Sequence, residues 1–429
     1  MGQPEIRIDL ARLLDRIETL GAIGAIVGEQ PDHRGSARLA LTEDDKLGRD
    51  LVVEWMRALG LEVSVDHLGN VVGTRAGLLD GPPVMGGWDI VTGASGGGFG
   101  GNLGVLAGLE VVATLNDADL TTQHPLAVAF FTNEEGCRFA PDMMGSLVYV
   151  GGLALEEALD TVGIDGTRVG DDLENIGYMG ATPVPGAVPL AYVELHIEQG
   201  PVLEAEGTCI GVVEQVQGIS WQEITISGES NHAGTTPMSH RHDAGYVAAH
   251  LMCRLHDIAT DIGGDQVATC GALTLRPNLV NVVASRAVMT VDLRNTDEQI
   301  LCEAEKRFAT ECDQVAEAEG VTISAHVLAR FEPVDFDPLV IDEVEVAAES
   351  LGLSHRRMPS GAGHDAQMLA RVCPSGMIFV PSINGISHNP AEKTDPYDLE
   401  AGANTLLRVM LALSDGQNTR SSRKGSYDS

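Results

Sequence analysis

Basic residues, and lysine above all, are scarce in this chain of 429 residues. Its 27 lysines and arginines face 62 aspartates and glutamates, for a formal net charge of −35. Only Lys46, Lys306, Lys393 and Lys424 are lysines. So acidic a surface argues against nucleic acid as a partner. It also repels itself at low salt, and molar salt screens that repulsion within about 3 Å. We therefore predict a salt-adapted (halophilic) cytoplasmic protein, with an ordinary acidic cytosolic enzyme as the alternative.

Long apolar runs and paired cysteines are also missing. No stretch reaches the roughly 18 apolar residues of a membrane span, so no membrane association is expected. Residues 1–21 follow the pattern of an amphipathic helix and not that of a signal peptide. The seven cysteines are odd in number and form no C-x-x-C pair, which predicts reduced, mostly buried thiols. The polar residues 416–429 predict a disordered tail.

Helical and strand patterns alternate through the first 210 residues. Helices are predicted over 42–59, with Thr42 as N-cap, and over 103–115. Strands are predicted over 61–66, 71–75, 126–131 and 192–197, the last two as buried apolar runs. This alternation predicts an α/β fold with a mostly parallel sheet covered by helices.

The pattern changes near residue 211 and returns near residue 330. Between them, strands over 220–227 and 282–293 and helices over 243–262 and 298–319 predict a smaller α+β domain. Beyond it, a strand over 377–380 and a helix over 398–413 resume the first type. We therefore predict a catalytic domain of residues 1–211 and 331–415, interrupted by a lid domain of residues 212–330.

Several polar residues follow apolar strands, where ligands of α/β proteins gather. Glu134 and Glu135 end one strand, and such a pair can divide metal binding and general-base catalysis between its members. His196 and His388 end two others, and imidazole is a ligand for zinc or manganese. Taken singly, a Glu pair in a loop is more often only solvated, and a lone histidine more often structural.

Three further residues suit contacts with a substrate. His232 lies in a polar loop of small residues, and Asn281 lies in the segment PNLVN. Arg294 lies at a strand end, and its planar fork matches both oxygens of a carboxylate. The alternative for each is a loop turn or a surface salt bridge.

Taken together and in this order, these motifs closely resemble one family. The stretches are FFTNEEGCRFAPDMMGS, YVELHIEQGPVLEAEG, NHAGTTPM, PNLVNV and GAGHDAQMLARVCPSGMIFVPSINGISHNPAE. They are similar to the hydantoinase/carbamoylase branch of the zinc-dependent M20-type superfamily, over about residues 5–415. Members include N-carbamoyl-L-amino-acid hydrolases, allantoate amidohydrolases and β-ureidopropionases. The resemblance implies a metal-dependent amidohydrolase with Zn²⁺, Mn²⁺ or Co²⁺, a small carboxylate-bearing substrate, and a homodimer through the lid domain.

The resemblance also implies a role for each matching residue of the catalytic domain. Glu134 corresponds to the general base, Glu135 and His388 to ligands of one metal, and His196 to a ligand of the other. Gln199 corresponds to a substrate-binding residue beside the metal.

In the lid domain, His232, Asn281 and Arg294 correspond to residues that hold the substrate carboxylate and polarise the scissile carbonyl. His232 is expected to reach the active site of the neighbouring subunit.

One segment departs from the family pattern, which is GSH-x-D-T-V followed about nine residues later by a second Asp. Counting forward through MGGWDIV places Trp88 at the histidine, whereas counting back from Phe99 places Asp89 there. Either way Gly100 stands at the bridging Asp, so two of five expected protein ligands are missing. Three explanations stay open. Asp89 replaces the histidine and one metal suffices, or the chain is an inactive or repurposed homologue, or the local sequence is corrupted.

The genetic code makes the third explanation concrete. The segment Trp-Asp-Ile-Val-Thr is encoded TGG-GAY-ATH-GTN-ACN. Read from the third letter, the triplets can spell Gly-His-Arg-Asp or Gly-His-Ser-Asp, which is the missing motif. A local frameshift restored further on would explain the lost motif and the extra residue. It explains Gly100 only if the restoring shift lies near that codon.

Overall fold

The computed structural model of the protein describes residues 6–28, 34–93, 96–97 and 102–416. The chain divides into two compact units. The first contains Met1–Glu214 and Phe336–Ser429, and the second contains Gln215–Asp335. Of the features singled out above, Phe99, Gly100 and the tail from residue 417 onward lie outside the described residues.

The helices of the first unit and the strands of its sheets are as follows, in chain order. The helices are α1 Leu10–Gly21, α2 Glu43–Ala58, α3 Leu103–Asp117, α4 Met144–Tyr149, α5 Leu155–Asp160, α6 Val169–Ile176, α7 Val202–Glu206, α10 Pro338–Ser350, α11 Asp365–Leu369 and α12 Pro396–Ser414. The strands are β1 Ala25–Val27, β2 Arg34–Ser36, β3 Glu62–Val65, β4 Val71–Arg75, β5 Val84–Trp88, β6 Gly96–Gly97, β7 Leu126–Phe130, β8 Ala191–Ile197, β9 Ile210–Val216, β16 His355–Ser360 and β17 Ser375–Val380.

The second unit holds the remaining elements. They are β10 Gly218–Ser227, α8 Ala244–Ile262, β11 Val267–Thr269, β12 Leu273–Arg276, β13 Arg286–Asn295, α9 Glu298–Glu319, β14 Thr322–Phe331 and β15 Val334–Asp335.

The helices and strands predicted from the sequence are confirmed, most of them with shifts of at most two residues at their ends. The larger differences are the N-terminal helix, which begins at Leu10, and the strand predicted from residue 282, which begins at Arg286. Helix α2 begins after Thr42, whose side chain accepts a hydrogen bond from the backbone N–H of Asp45, as an N-cap does. Strands β7, β8 and β17 are buried at every position, which is why they read as continuous apolar runs.

The large sheet has the strand order β15-β9-β17-β8-β5-β7-β4-β3, with β16 beside β9. Its four central strands β17, β8, β5 and β7 are parallel. Strands β9 and β4 flank them in antiparallel orientation, and the outer strand β3 is antiparallel to β4. The predicted α/β fold with a parallel centre is therefore confirmed. Parallel strands end at the same edge of a sheet. Strands β5, β8 and β17 end there at Trp88, Ile197 and Val380, so the loops that follow them lie beside the loop after β7.

Helix α3 packs directly on the central strands β5, β7 and β8. A side chain at Gly87 would meet the carbonyl oxygen of Ala129 at 2.1 Å, and one at Gly104 would meet the Gly87 carbonyl at 2.7 Å. Glycine at position 87 therefore allows the close approach of strands β5 and β7, and glycine at position 104 allows that of α3 and β5. The approach places the start of α3 beside the end of β5.

Helix α1 is tied to α3 through one buried carboxylate. Glu110 is fully buried and accepts hydrogen bonds from Arg12 Nε and Nη2, each at 2.8 Å, and from Arg16 Nη1 at 3.1 Å. The backbone N–H of Asp9 also donates to Glu110, at 3.0 Å. The arrangement satisfies a buried charge with two cations and fixes the N-terminal helix.

The second unit is an α+β fold around one antiparallel sheet with the order β11-β13-β10-β14, with β12 beside β13. Burial along β13 alternates, and its inward residues pack with α8 and α9 in a single apolar core. Strands β10 and β13 pair over their full length, from Gly218 opposite Asn295 to Ser227 opposite Arg286.

The prediction that the thiols are mostly buried is wrong. Cys137, Cys253 and Cys302 are exposed, two others are half-buried, and only Cys312 and Cys373 are buried. Among the described residues, no helix is both long and apolar enough to span a bilayer.

Candidate active site

The loop after β7 presents two carboxylates at the end of the central strands. Asn133 has a left-handed φ of 57° and donates from Nδ2 to the carbonyl oxygens of Phe139 and Pro141, at 2.8 and 3.1 Å. Asparagine tolerates this conformation because its short side chain can bond locally. The bonds hold Glu134, whose side chain is nearly buried, in a defined loop.

Burial raises the pKa of Glu134 well above its ordinary value, and the negative charges of Asp89 and Glu135 raise it further. A carboxyl group of this kind takes up a proton more readily than an exposed one. It therefore suits proton transfer, which needs a group that is both base and acid.

Glu135 is paired with His388, whose Nε2 lies 3.8 Å from the Glu135 Oε2. The backbone N–H of Gly93 also donates to Glu135. Burial raises the pKa of Glu135, and the interaction with His388 partly offsets that rise. His388 has a left-handed φ of 52°, and its backbone N–H donates to Glu392 at 3.3 Å. The structure thus joins two loops distant in sequence through one carboxylate–imidazole contact.

Gln199 lies next to this pair. Its Nε2 donates to the Ser387 hydroxyl at 3.1 Å and lies 3.5 Å from the His388 Nε2. Its backbone N–H donates to Ser382 at 3.0 Å. Gln199 therefore stands at the edge of the Glu135–His388 pair, where a substrate group beside that pair could be bound.

His196 is fully buried at the end of β8 with an available lone pair. Its Nδ1 lies within hydrogen-bonding distance of the Ile197 carbonyl oxygen, so Nδ1 carries the proton. Burial lowers the pKa of His196 well below its usual value. Its Nε2 has no hydrogen-bond partner among the described residues. Neutral imidazole with a bare nitrogen is the form that ligates metals.

Trp88 covers this histidine. The indole and imidazole rings make an edge contact with centroids 3.8 Å apart. The Trp88 Nε1 is itself buried without a hydrogen-bond partner among the described residues. An indole has a donor but no lone pair for a metal. A bulky non-ligand therefore occupies the surroundings of His196.

Asp89 follows Trp88 and is fully buried. Within the described part of the chain neither of its carboxylate oxygens has a hydrogen-bond partner. Burial raises its pKa well above the ordinary value, and Glu135 and Asp365 raise it further. The nearby guanidinium of Arg38 does not pair with it, but donates to the carbonyl of Ile90 at 2.6 Å and to other partners. Asp89 is thus a buried acceptor without a donor.

A second buried row of side chains lies next to His196, and the sequence motifs that contain it were given no role. His364 has its Nε2 2.9 Å from the Ser360 hydroxyl and its Nδ1 3.3 Å from Glu194 Oε1. Its ring centroid lies 4.7 Å from that of His196. Burial raises the pKa of Glu194 to about 8 and lowers that of His364 to about 3, so this row is neutral. The sequence signal for this row is the spacing of Glu194 and His196. Two residues apart on a strand, their side chains lie on the same face of β8.

In the second unit, His232 is held as a hydrogen-bond donor. Its Nδ1 accepts from the backbone N–H groups of Gly234 and Thr235, at 3.0 and 3.3 Å. The proton of the neutral ring is therefore on Nε2, and the side chain is exposed. The Asn281 carbonyl accepts from Ala233 at 2.9 Å, so the loops of His232 and Asn281 are neighbours.

Arg294 lies at the opposite end of the same sheet. Its Nε and Nη2 donate to Asp292 at 2.9 to 3.2 Å, and its guanidinium lies over Trp221. Strand β13 runs eight residues from Arg286, near the His232 loop, to Arg294, which is about 27 Å at about 3.4 Å per residue. The structure thus brings His232 and Asn281 together and separates both from Arg294.

The metal implied by the resemblance fits these residues only in part. No group of three or more His, Cys, Asp or Glu side chains among the described residues is close enough to hold a metal ion. Glu135 and His388 are a pair of suitable donors with a buried, unpartnered Asp89 nearby. The aromatic neighbours of His196 include Trp88 and His364. Glu135 and His388 are therefore two neighbouring donors that could contribute to holding a cation, and the described residues add no third donor close enough to complete a site.

Comparison with known families agrees with this fold. The profile of Peptidase family M20/M25/M40 matches residues 95–412. The chain belongs to this family. The predicted membership of its hydantoinase/carbamoylase branch is confirmed by an amidase of that branch from Burkholderia multivorans. Its crystal structure aligns with a TM-score of 0.89 and 42% identity, over 96% of this chain and 99% of that one.

Named relatives share most of the chain. It is 40% identical over 406 residues to an N-carbamoyl-L-amino-acid amidohydrolase of Rhizobium meliloti, covering 94% of this chain and 96% of the relative. It is 36% identical to the allantoate amidohydrolase of Escherichia coli, over 83% and 88%. The predicted enzyme class, a hydrolase of C–N bonds outside peptides, is supported by these relatives.

Proposed function

We propose that this M20-family hydrolase cleaves a linear amide or ureido C–N bond in a small substrate that carries a carboxylate. N-carbamoyl-L-amino acids, ureidopropionate and allantoate are the substrate types. The observation that carries the proposal is the grouping of Glu134, Glu135, Gln199 and His388 at one edge of the parallel sheet. Two relatives, named for N-carbamoyl-L-amino acids and for allantoate, support the substrate class.

A divalent cation, Zn²⁺, Mn²⁺ or Co²⁺, would be held by Glu135 and His388, with Asp89 as the nearby carboxylate. When bound, it supplies a Lewis acid that polarises a carbonyl oxygen. One cation differs from the two that the family resemblance implies. The reason is the loss of the expected donors at Trp88 and Gly100, and the contact of Trp88 with His196.

Glu134 moves the proton. Its carboxylate takes a proton from the water that attacks the ureido carbon, and its acid form then gives that proton to the leaving nitrogen. The rigid loop set by Asn133 holds the carboxylate in place. Burial and the surrounding negative charges raise its pKa, which helps it to retain the proton between the two steps.

The lid residues would bind the substrate. Arg294 offers a bidentate contact to a carboxylate, and Asp292 holds its orientation. His232 offers its Nε2 proton to the scissile carbonyl oxygen, with Asn281 beside it. Because about 27 Å of strand separates them, one small substrate cannot contact both ends of one lid. This separation supports a homodimer in which residues 215–335 act as lid and dimerisation domain, and His232 serves the partner's site.

A second candidate function is a non-catalytic homologue that keeps the fold and a ligand cleft. The Trp88–His196 contact favours it, because a ring that offers no lone pair to a metal lies directly against the buried imidazole.

Ammonia release separates the two functions. The purified chain is assayed with an N-carbamoyl-L-amino acid, ureidopropionate and allantoate, each with added Zn²⁺, Mn²⁺ or Co²⁺, and with a dipeptide as the control substrate. The proposed function predicts release of ammonia from at least one ureido compound and no cleavage of the dipeptide. Absence of release from all three compounds with every cation supports the non-catalytic homologue.

A further inference from the structure

A half-buried tryptophan lies beside the arginine that is assigned to the substrate carboxylate. Trp221 on β10 stands directly opposite Asp292 on β13. The Arg294 guanidinium carbon lies 5.8 Å from the centre of the indole ring, and Asp292 accepts hydrogen bonds from Arg294 Nε and Nη2. The indole, the carboxylate and the guanidinium therefore form one group on the sheet of the second unit.

This group lies on the face of the sheet that points away from the apolar core. Val291 and Leu293 belong to the core that contains α8 and α9, and Asp292 and Arg294 alternate with them along β13. The side chains of Arg294 and Asp292 are 22% and 27% exposed. A small molecule can therefore reach them without disturbing the core of the unit.

The indole of Trp221 offers a hydrocarbon surface at this place. Trp221 is half-buried, whereas its Nε1 is buried and has no hydrogen-bond partner in the described part of the chain. Because that nitrogen is the one polar atom of the ring, the accessible part of the side chain is carbon. An apolar group of a ligand gains free energy by covering such a surface, and a polar group does not.

We propose that Trp221 is a specificity-determining residue that contacts the substrate side chain, and that the substrate is an N-carbamoyl-α-amino acid whose side chain is apolar or aromatic. This rests on the proposed function for the bond that is cleaved and for the contact of the carboxylate with Arg294. In an α-amino acid, one carbon carries both the carboxylate and the side chain. A carboxylate at Arg294 therefore brings the side chain close to the indole.

The other two substrate types use this surface less well. Ureidopropionate has no side chain on the carbon next to its carboxylate, so the indole would stay uncovered. Allantoate carries two ureido groups on that carbon, and the one that is not cleaved would lie against hydrocarbon. A polar group that loses water without gaining a hydrogen bond is unfavourable there. The contact thus selects one of the three types.

A purely structural role of Trp221 predicts a different pattern of effects. The indole also supports the Arg294 guanidinium through a cation–π contact. A residue that only supports Arg294 affects every substrate with a carboxylate equally. A residue that covers the substrate side chain affects only substrates that have one. N-carbamoylglycine, which has no side chain, separates the two roles.

Binding to a catalytically disabled chain tests the proposal without turnover. Calorimetry of the full chain with Glu134→Gln, in the presence of Zn²⁺, gives Kd for N-carbamoyl-L-phenylalanine, N-carbamoyl-L-leucine and N-carbamoylglycine. We expect the first two to bind about tenfold or more tightly than the glycine compound. Adding Trp221→Ala should abolish this preference and weaken the glycine compound by about fivefold at most, the value of an exposed cation–π contact.

Trp221→Phe in the same background is the matched control, because it keeps an aromatic ring and should keep most of the preference. Melting curves check that each variant folds. Equal affinity for all three compounds before substitution, a preference that survives Trp221→Ala, an equal loss for all three, or no binding of any of them would overturn the proposal. Absence of ammonia release from the wild type, with the preference intact, would instead overturn the proposed function alone.

Discussion

The indole ring of Trp88 lies edge-on against the imidazole of His196, with ring centroids 3.8 Å apart and ring planes inclined by 73°. Both rings are buried, and the Nε1 of one and the Nε2 of the other have no hydrogen-bond partners among the described residues. This contact places an aromatic ring without a metal-binding lone pair directly against a ligand-type histidine. It is the structural counterpart of the lost family motif.

Replacing the indole should open the second metal position. Trp88→His removes the ring that covers His196 and adds an imidazole next to it, so we expect the zinc content to rise from one towards two per chain. Metal analysis after dialysis measures this. Trp88→Phe is the matched control, because it keeps an aromatic ring and adds no donor. An equal zinc content in both variants would contradict the account of this contact.

Glu134 carries the proton in the proposed reaction. Glu134→Gln keeps the shape of the side chain and removes its basicity, so kcat should fall by about 10²–10⁴-fold. Zinc content should be unchanged, since Glu134 is not assigned as a ligand. Steady-state ammonia release with parallel metal analysis checks both. A variant with near wild-type kcat would remove Glu134 from the mechanism.

Arg294 is assigned to the substrate carboxylate. Arg294→Lys keeps the positive charge but loses the bidentate fork. A hydrogen bond to a charged group contributes about 1.5–3 kcal/mol, so KM should rise by about 10–100-fold. The value of kcat should change little. Kinetics with a ureido substrate that has a carboxylate, and with its amide analogue, measures the effect. The amide should respond less to the substitution, and equal responses would place the carboxylate elsewhere.

The anchoring of α1 through Glu110 predicts a stability difference between two carboxylates. Glu110→Ala leaves Arg12 and Arg16 without their buried partner and should cost about 3–5 kcal/mol of unfolding free energy. Asp117→Ala removes an exposed partner of Arg12 and should cost about 1 kcal/mol or less. Urea denaturation of both variants gives the comparison. Similar losses would show that the Glu110 network does not fix the helix.

The acidic surface predicts a dependence on salt. With a formal net charge of −35, self-repulsion should fall as salt screens it. The melting temperature should therefore rise between low salt and molar KCl. Sucrose at matched osmolality serves as the control for general solute effects. A melting temperature that does not rise with KCl would favour the alternative, an ordinary acidic enzyme without salt adaptation.

The architecture was predictable because local patterns determine it. The apolar runs at 126–131 and 192–197 are buried parallel strands, and the positions of Glu134 and His196 follow from where those strands end. The thiols were not predictable in the same way, because burial of Cys137 depends on the loop that carries it and not on the hydrophobicity of cysteine.

The contacts of the altered segment around Trp88 and Asp89 also could not be predicted from the sequence. Sequence counting left Trp88 and Asp89 as equal candidates for one position, because an inserted residue shifts the register. The structure distinguishes them: Trp88 ends β5 against His196, and Asp89 is a buried, unpartnered carboxylate. Two adjacent buried polar groups without partners are also what a corrupted local sequence would produce. Sequencing the gene through codons 80–105 tests that alternative, and agreement with the present frame removes it.

The central claim is C–N bond hydrolysis supported by one cation at Glu135 and His388. Ammonia release from the preferred ureido substrate is measured as zinc is added stepwise to metal-depleted protein. The account predicts a rate that rises in proportion to zinc and reaches its plateau at one equivalent per chain. A plateau only at two equivalents, or no ammonia at any amount of zinc, would contradict it.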